Sequence, residues 1–204
     1  MLISLHDLVN KYNIVFTGIL HVGAHECEEI NEYEQYISRD KILWIDALHH
    51  KVNQCKDQFS NLLIEQAVVS DKIEDVVFNI ANNDQSSSML ELGIHKFYHS
   101  DIEYVISFKT KTTLLSSILP KYDIKFNFLN LDIQGAELKA LKGMENYLND
   151  VDYIYIEVNT DYLYVNGVLI DELDEYLLRF QFKRVELCMT EYDWGDAFYI
   201  KLKS

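Results

Sequence analysis

The chain contains a single proline, seven glycines and three cysteines. So little proline and glycine excludes long flexible linkers and proline-rich segments. Cys27, Cys55 and Cys188 are odd in number and widely spaced. That gives neither a disulfide framework nor a paired-cysteine metal site, so they read as reduced thiols. Basic residues are also scarce: 18 Lys and Arg stand against 33 Asp and Glu, for a formal net charge of −15. No basic run exceeds two residues, so the footprint that displaces counterions from a phosphate backbone is missing and no nucleic-acid partner is expected. No apolar stretch approaches the ~20 residues of a membrane span. The first residues carry neither the basic start nor the cleavage site of a secretory leader. These absences point to a cytoplasmic protein with no membrane partner.

What is present is an ordinary globular composition, 49% hydrophobic and 25% charged over 204 residues, enough for one domain with a real core. Apolar spacing predicts a leading helix within residues 1–12. Short apolar runs at Ile19–Val22, Lys41–Asp46 and Leu62–Val69 read as buried strands. Between them lie helical stretches at Glu26–Ile37 and His49–Phe59. Strand and helix alternating with short connections mean parallel βαβ units in a doubly wound sheet. The rhythm breaks over residues 71–112, read as an insertion containing strands at Val76–Ile80 and Glu103–Thr112. It resumes with a strand at Phe126–Leu131, a helix over Gly135–Leu148, a strand at Tyr153–Val158 and a helix over Ile170–Phe180. Two final strands, Phe182–Leu187 and Ala197–Leu202, are too close for a crossover and must be antiparallel. The expectation is a single Rossmann-like α/β domain spanning residues 1–204.

In such a sheet ligands bind beyond the carboxyl ends of the strands, near the point where strand order reverses. Four strand ends carry the polar residues to examine. His21, Gly23, Ala24 and His25 follow the first strand. The glycine would let a ligand approach the backbone, and free N–H groups at the next helix start could hold a carboxylate. Asp46 ends the second strand, where a carboxylate can accept ribose hydroxyls; helix capping is the alternative use of such a residue. Ala47 and Ser70 are grouped with it as cofactor contacts. Asp132 ends the strand beside the expected switch point, followed by Gln134 and Gly135. Glu157 and Asn159 end the next strand. Asp132 and Glu157 are candidates to share a divalent cation or to raise one another's pKa. Ser86, Ser87 and Ser88, with Asn82 and Asn83, offer polar partners from a loop read as mobile. Tyr164 and Trp194 are candidates to stack on a sugar face, although core packing is the commoner fate of aromatics.

The dinucleotide fingerprint GxGxxG keeps only Gly23, with His25 and Glu28 at the other two positions, and no phosphate-binding P-loop occurs. The only proline, Pro120, precedes Lys121. No proline–aromatic turn for an amino nitrogen and no Pro-Cys nucleophile is therefore available.

Several segments, taken in order, resemble the FkbM family of methyltransferases. They are HVGAHECEEINEY from His21, ILWIDA from Ile42, FNIANNDQSSSMLELG from Phe78, LNLDIQGAELKALKG from Leu129, IEVN from Ile156 and WGDAFYI from Trp194. DIQGAELKALKG is the most specific of them. The resemblance runs from about Leu20 to Ile200. It implies S-adenosylmethionine as cofactor, O-methylation of a sugar or other small-molecule hydroxyl, and a seven-stranded sheet whose last strand is antiparallel. Two departures stand out: many members have Asp at the position of His21 and Gly at that of Cys27. A cysteine is tolerated there if a helix has already begun, and strained if the turn needs a positive φ. On this reading Asp132 or His25 is the general base. Gly23, Ala24, His21, His25, Asp46, Ala47, Ser70 and Asp132 meet the cofactor. Ser87, Ser88, Gln134, Glu157, Asn159, Tyr164 and Trp194 meet the acceptor. A homodimer is left open. The rival expectations are a nicotinamide-linked sugar oxidoreductase and a catalytically silent binding domain.

Overall fold

The structure, a computed structural model, describes residues 1–202. Seven strands form the main sheet in the order β3-β2-β1-β7-β8-β10-β9. They are β1 (Ile19–Val22), β2 (Ile42–Asp46), β3 (Leu63–Gln66), β7 (Phe128–Leu131), β8 (Tyr153–Asn159), β9 (Phe182–Met189) and β10 (Trp194–Lys201). β1, β2, β3, β7 and β8 are parallel, and β10 runs antiparallel to both its neighbours. Strand order reverses between β1 and β7, which places the switch point there.

The two-residue period of the strands divides the core. Leu20, Val22, Leu129 and Leu131 join one apolar cluster with residues of α5 (Leu115–Ile118), α6 (Glu137–Gly143) and α7 (Ile170–Leu178). Ile19, Ile42, Trp44 and Phe128 join the other, with α1 (Leu5–Tyr12), α2 (Ile30–Tyr33) and α3 (His49–Gln58). Burial on both faces is why these strands read as continuous apolar runs.

Three expected elements come out differently. The helix expected over Glu26–Ile37 is regular α-helix only at α2, because His25 (φ 42°) and Cys27 (φ 56°) take left-handed conformations that a helix cannot contain. The strand expected over Leu62–Val69 is two strands. β3 stays in the main sheet, while β4 (Val68–Val69) leaves it to pair with β6 (Tyr104–Thr113). The helix expected over Gly135–Leu148 ends at Gly143, and a 3₁₀ segment, Glu145–Asp150, follows. β5 (Asp75–Ala81) and β6 form an antiparallel hairpin that completes a small sheet, β4-β6-β5, over the insertion. A short helix, α4 (His95–Tyr98), lies in the loop between them. Residues ahead of α1 are not helical: Leu2 N–H donates to Asp196 at 2.5 Å and Ile3 N–H to the Tyr155 hydroxyl at 3.0 Å. No helix among the described residues is long and apolar enough to cross a membrane.

Candidate active site

A cavity of about 590 Å³ opens at the carboxyl ends of β1, β2, β7 and β8, roofed by the insertion. His21, Gly23, His25, Asp46, Ala47 and Asp132 line it. So do Asn83, Ser86, Ser87, Gln134, Glu157, Tyr164 and Trp194. Ala24, Ser70, Ser88, Asn82 and Asn159 do not. Ser70 is fully buried, with its hydroxyl donating to Asp71. Ser88 donates to the Gln134 carbonyl and accepts from Leu90 N–H, so it braces the loop from behind. Asn159 is buried at the end of β8.

The turn after β1 is built differently from the expectation. Gly23 and Ala24 N–H groups both donate to the Ile45 carbonyl, at 2.8 and 3.1 Å. His25 N–H donates to Asp46 Oδ2 at 2.7 Å, and Glu26 N–H to Glu28 Oε2 at 3.2 Å. The protein itself therefore uses the donors expected to be free for a ligand carboxylate. Gly23 is required for another reason as well: at its φ of 94° an added Cβ would lie 1.7 Å from the Asp132 carbonyl oxygen. The glycine lets β1 and β7 approach each other at the switch point.

Asp46 serves two roles. Its Oδ1 accepts Leu48 N–H at 2.7 Å, beside the start of α3, while Oδ2 holds the β1 turn. Burial raises its pKa against the opposing effect of these donors. A carboxylate has about four acceptor sites, so two remain. Leu48, Val68 and Phe78 form an apolar wall of the same cavity.

The other half of the cavity is organised around Gln134, which takes a left-handed φ of 57°. Its Nε2 donates to Asp132 Oδ1 at 2.6 Å and to Glu157 Oε2 at 2.7 Å, and its Oε1 accepts from the Tyr164 hydroxyl at 2.5 Å. Burial, then the charge of Asp132, pushes Glu157 well above the usual carboxylate range. An amide thus lies between Asp132 and Glu157, the two acids expected to share a cation or to raise one another's pKa. Among the described residues no group of three or more His, Cys, Asp or Glu is arranged to hold a metal ion. Tyr164 is 1% exposed, so its ring is core and only its hydroxyl works in this network.

His25 sits with the Asp46 half. Its Nδ1 pairs with Glu28 Oε1 at 2.6 Å, and its Nε2 is buried without a partner. Burial lowers its pKa, but the hydrogen bond and charge of Glu28 outweigh that and leave it raised. The polar loop is packed rather than mobile, with Ser86, Ser87 and Ser88 all buried. Lys51, itself buried, ties the loop to the β1 turn by contacts with Glu26 at 2.6 Å and Asp84 at 3.3 Å.

The sequence reading missed several residues. Glu137 is fully buried and its Oε1 accepts Ile133 and Gly135 N–H groups, which sets the backbone that carries Gln134. Tyr33 and Asn130 bond to one another beneath His21. Asp196, on β10, lines the cavity and accepts from the Tyr155 hydroxyl. An acid in the first turn of α6 was a visible signal for Glu137. Nothing local distinguishes Tyr33 or Asn130.

Comparison with known proteins bears on the fold and the family. The magnesium protoporphyrin IX methyltransferase of Synechocystis PCC 6803, solved with S-adenosylmethionine bound, superposes with a TM-score of 0.51 at 8% identity, covering 96% of this chain and 74% of that one. A TehB-like methyltransferase from Corynebacterium glutamicum gives 0.46 at 11% identity over 96% and 85% of the two chains. An Aquifex aeolicus methyltransferase gives 0.44 at 10% over 96% and 89%. No curated protein sequence matches the chain. The methyltransferase FkbM domain matches residues 21–184. With its strand order, antiparallel β10 and cavity at the switch point, the chain belongs to the FkbM family of S-adenosylmethionine-dependent methyltransferases.

Proposed function

We propose that this chain methylates a hydroxyl oxygen of a small polyhydroxylated acceptor such as a sugar. The observation that carries the reading is the Asp132–Gln134–Glu157 cluster, two acid side chains joined by an amide on the cavity wall. Asp46, with its spare acceptor sites, suits ribose hydroxyls, and the Leu48, Val68 and Phe78 wall beside it suits a purine. These residues fit an adenosyl group, and Ala47 lies between them. Bound S-adenosylmethionine supplies an electrophilic methyl carbon on its sulfonium.

The chain's own residues orient the acceptor and move its proton. An alcohol is a weak nucleophile until it begins to lose its proton, and a positioned base contributes ~10²–10⁴-fold. Asp132 accepts the hydroxyl proton and later returns it to solvent. Glu157 donates a hydrogen bond to a neighbouring acceptor oxygen. Gln134 holds both side chains, and Tyr164 holds Gln134. Trp194 and Ser87 bound the acceptor end. His25, paired with Glu28 and raised in pKa, belongs to the cofactor half and is the weaker base candidate.

Among the described residues no lysine or arginine lines the cavity. This favours an acceptor without phosphate and speaks against nucleic acid. The test is to incubate the protein with S-adenosylmethionine and a panel of free sugars and polyols, and to look for one added CH₂ on oxygen by mass spectrometry. Asp132→Asn should retain cofactor binding and lose at least ~10²-fold in turnover. Undiminished turnover in that variant removes Asp132 from the proton path. Methylation at nitrogen or carbon alone overturns the assignment to oxygen.

A further inference from the structure

Lys51 carries its charge where both burial and helix position oppose it. Its side chain is only 8% exposed. It lies in the first turn of α3, where the free N–H groups of a helix favour acids over bases. A buried ammonium persists at such a place only when carboxylates face it. Two do: Nζ meets Glu26 Oε1 at 2.6 Å and Asp84 Oδ2 at 3.3 Å. Burial lowers the pKa of Lys51, but the hydrogen bonds and charges of these two acids outweigh that and leave it raised. The preceding residue on α3 joins in, with His50 Nε2 3.1 Å from the same Asp84 oxygen.

The two acids stand on different walls of the cofactor half. Glu26 belongs to the β1 turn, next to His25, whose N–H is held by Asp46. Asp84 belongs to the roof loop and lines the cavity with Asn83, Gln85, Ser86 and Ser87. The roof hangs from the β4-β6-β5 sheet, which shares no ladder with the main sheet, so side-chain ties and packing seat it. On the acceptor side the tie is Ser88, whose hydroxyl donates to the Gln134 carbonyl at 2.8 Å. On the cofactor side it is Asp84, held at a left-handed φ of 59°. Lys51 does not itself line the cavity. We propose that Lys51 is a positioning residue that latches the roof loop to the β1 turn, and that the cofactor enters and leaves by release of Asp84. Asp84 is the arm that opens because its contact is the longer and its backbone is outside the main sheet. The assignment rests on the reading that the adenosyl group lies between Asp46 and the roof.

Two measurements on the full chain test this. Hydrogen–deuterium exchange reads the loop without any ligand. In Lys51→Met, which keeps an apolar stem and loses the charge, amides of residues 82–88 should exchange about tenfold faster, the lower end for a hydrogen bond between charged groups. Those of β7 should stay unchanged. Stopped-flow fluorescence with S-adenosylhomocysteine reads cofactor exchange. Association and dissociation should both quicken about tenfold in Lys51→Met, while Kd moves by less than about threefold, because a latch changes the route more than the end states. Lys51→Arg should restore most of the wild-type behaviour. Asp84→Asn should loosen the loop in the same way, and adding it to Lys51→Met should change little, as expected of two groups in one contact. Unchanged exchange at 82–88 in Lys51→Met, or an equal rise that includes β7, overturns the proposal. So do unaltered rates for S-adenosylhomocysteine, or additive effects of the two substitutions. Should Lys51→Met fail to melt cooperatively, the same readings on Asp84→Asn and Lys51→Arg decide. If folded wild type binds no S-adenosylhomocysteine, the cofactor reading itself has failed, whereas normal binding with rates indifferent to Lys51 removes the latch alone.

Discussion

Glu137 shows how one buried side chain shapes the site without entering it. It is fully buried, and its Oε1 accepts two backbone N–H groups while Oε2 has no partner. Burial pushes its pKa up to about 7. For an acid whose folded pKa exceeds its unfolded value, the native state binds the proton more tightly, so rising pH removes stability. The loss starts near the ordinary value of about 4.5 and is complete above about 7. Glu157, raised for the same reason, adds to the same slope. Glu137→Gln keeps an oxygen for the two N–H groups and abolishes the titration. Its melting temperature should therefore fall less than that of the wild type between about pH 5 and pH 8. Parallel curves for the two proteins would show that Glu137 does not titrate in this window.

At the scale of elements, the segment joining β1 to α2 is the most unusual piece of backbone. His25 and Cys27, on either side of Glu26, both take positive φ, and these left-handed residues interrupt a helix that sequence periodicity alone would allow. The strain that a cysteine would meet at a positive φ is thus present. Cys27 is fully buried and packs in the cluster with Ile30, Tyr33 and Cys55. Its left-handed conformation costs about 1–2 kcal/mol, and burying its small side chain returns a similar amount, about 1 kcal/mol. Cys27→Gly should consequently change stability by less than ~1 kcal/mol. Cys27→Val should destabilise by more than ~2 kcal/mol, because a β-branched residue is far worse at positive φ. Chemical denaturation of the two variants gives the comparison, and a more stable valine variant would mean that the turn is not left-handed.

Across the whole molecule, acidity and cavity are connected. The formal net charge of −15 is not merely a solvated surface, because Glu28, Glu29, Asp46, Asp132 and Asp196 all reach the cavity. A phosphorylated acceptor would have to enter against these charges with no described lysine or arginine to receive it. At matched concentration, a free sugar should thus be methylated at least ~10-fold faster than its phosphate ester or nucleotide conjugate, about 1.4 kcal/mol of discrimination. Raising the salt concentration should narrow that gap by screening the repulsion. Competition assays with labelled cofactor measure both effects, and preference for the phosphorylated form would contradict the charge argument.

The sequence by itself determined the architecture. Buried parallel strands read as apolar runs, the late pair had no room for a crossover, and DIQGAELKALKG carried the family resemblance. Asp46, Asp132, Gln134 and Glu157 were legible because polar residues at strand ends mark ligand sites in doubly wound sheets. Tertiary structure alone decided what those residues do. Gln134 lies close to Asp132 along the chain, yet its amide also bridges to Glu157, which the sheet brings in from the next strand. The N–H groups of the β1 turn looked free from position alone, but the neighbouring strand and Asp46 accept them. Tyr33 and Asn130 meet His21 only because α2 packs under the sheet, a contact between residues 97 positions apart. Periodicity reports which face of an element is apolar, whereas a hydrogen-bond network across strands depends on register and on backbone conformations such as the left-handed turn, and these are set once the chain has packed.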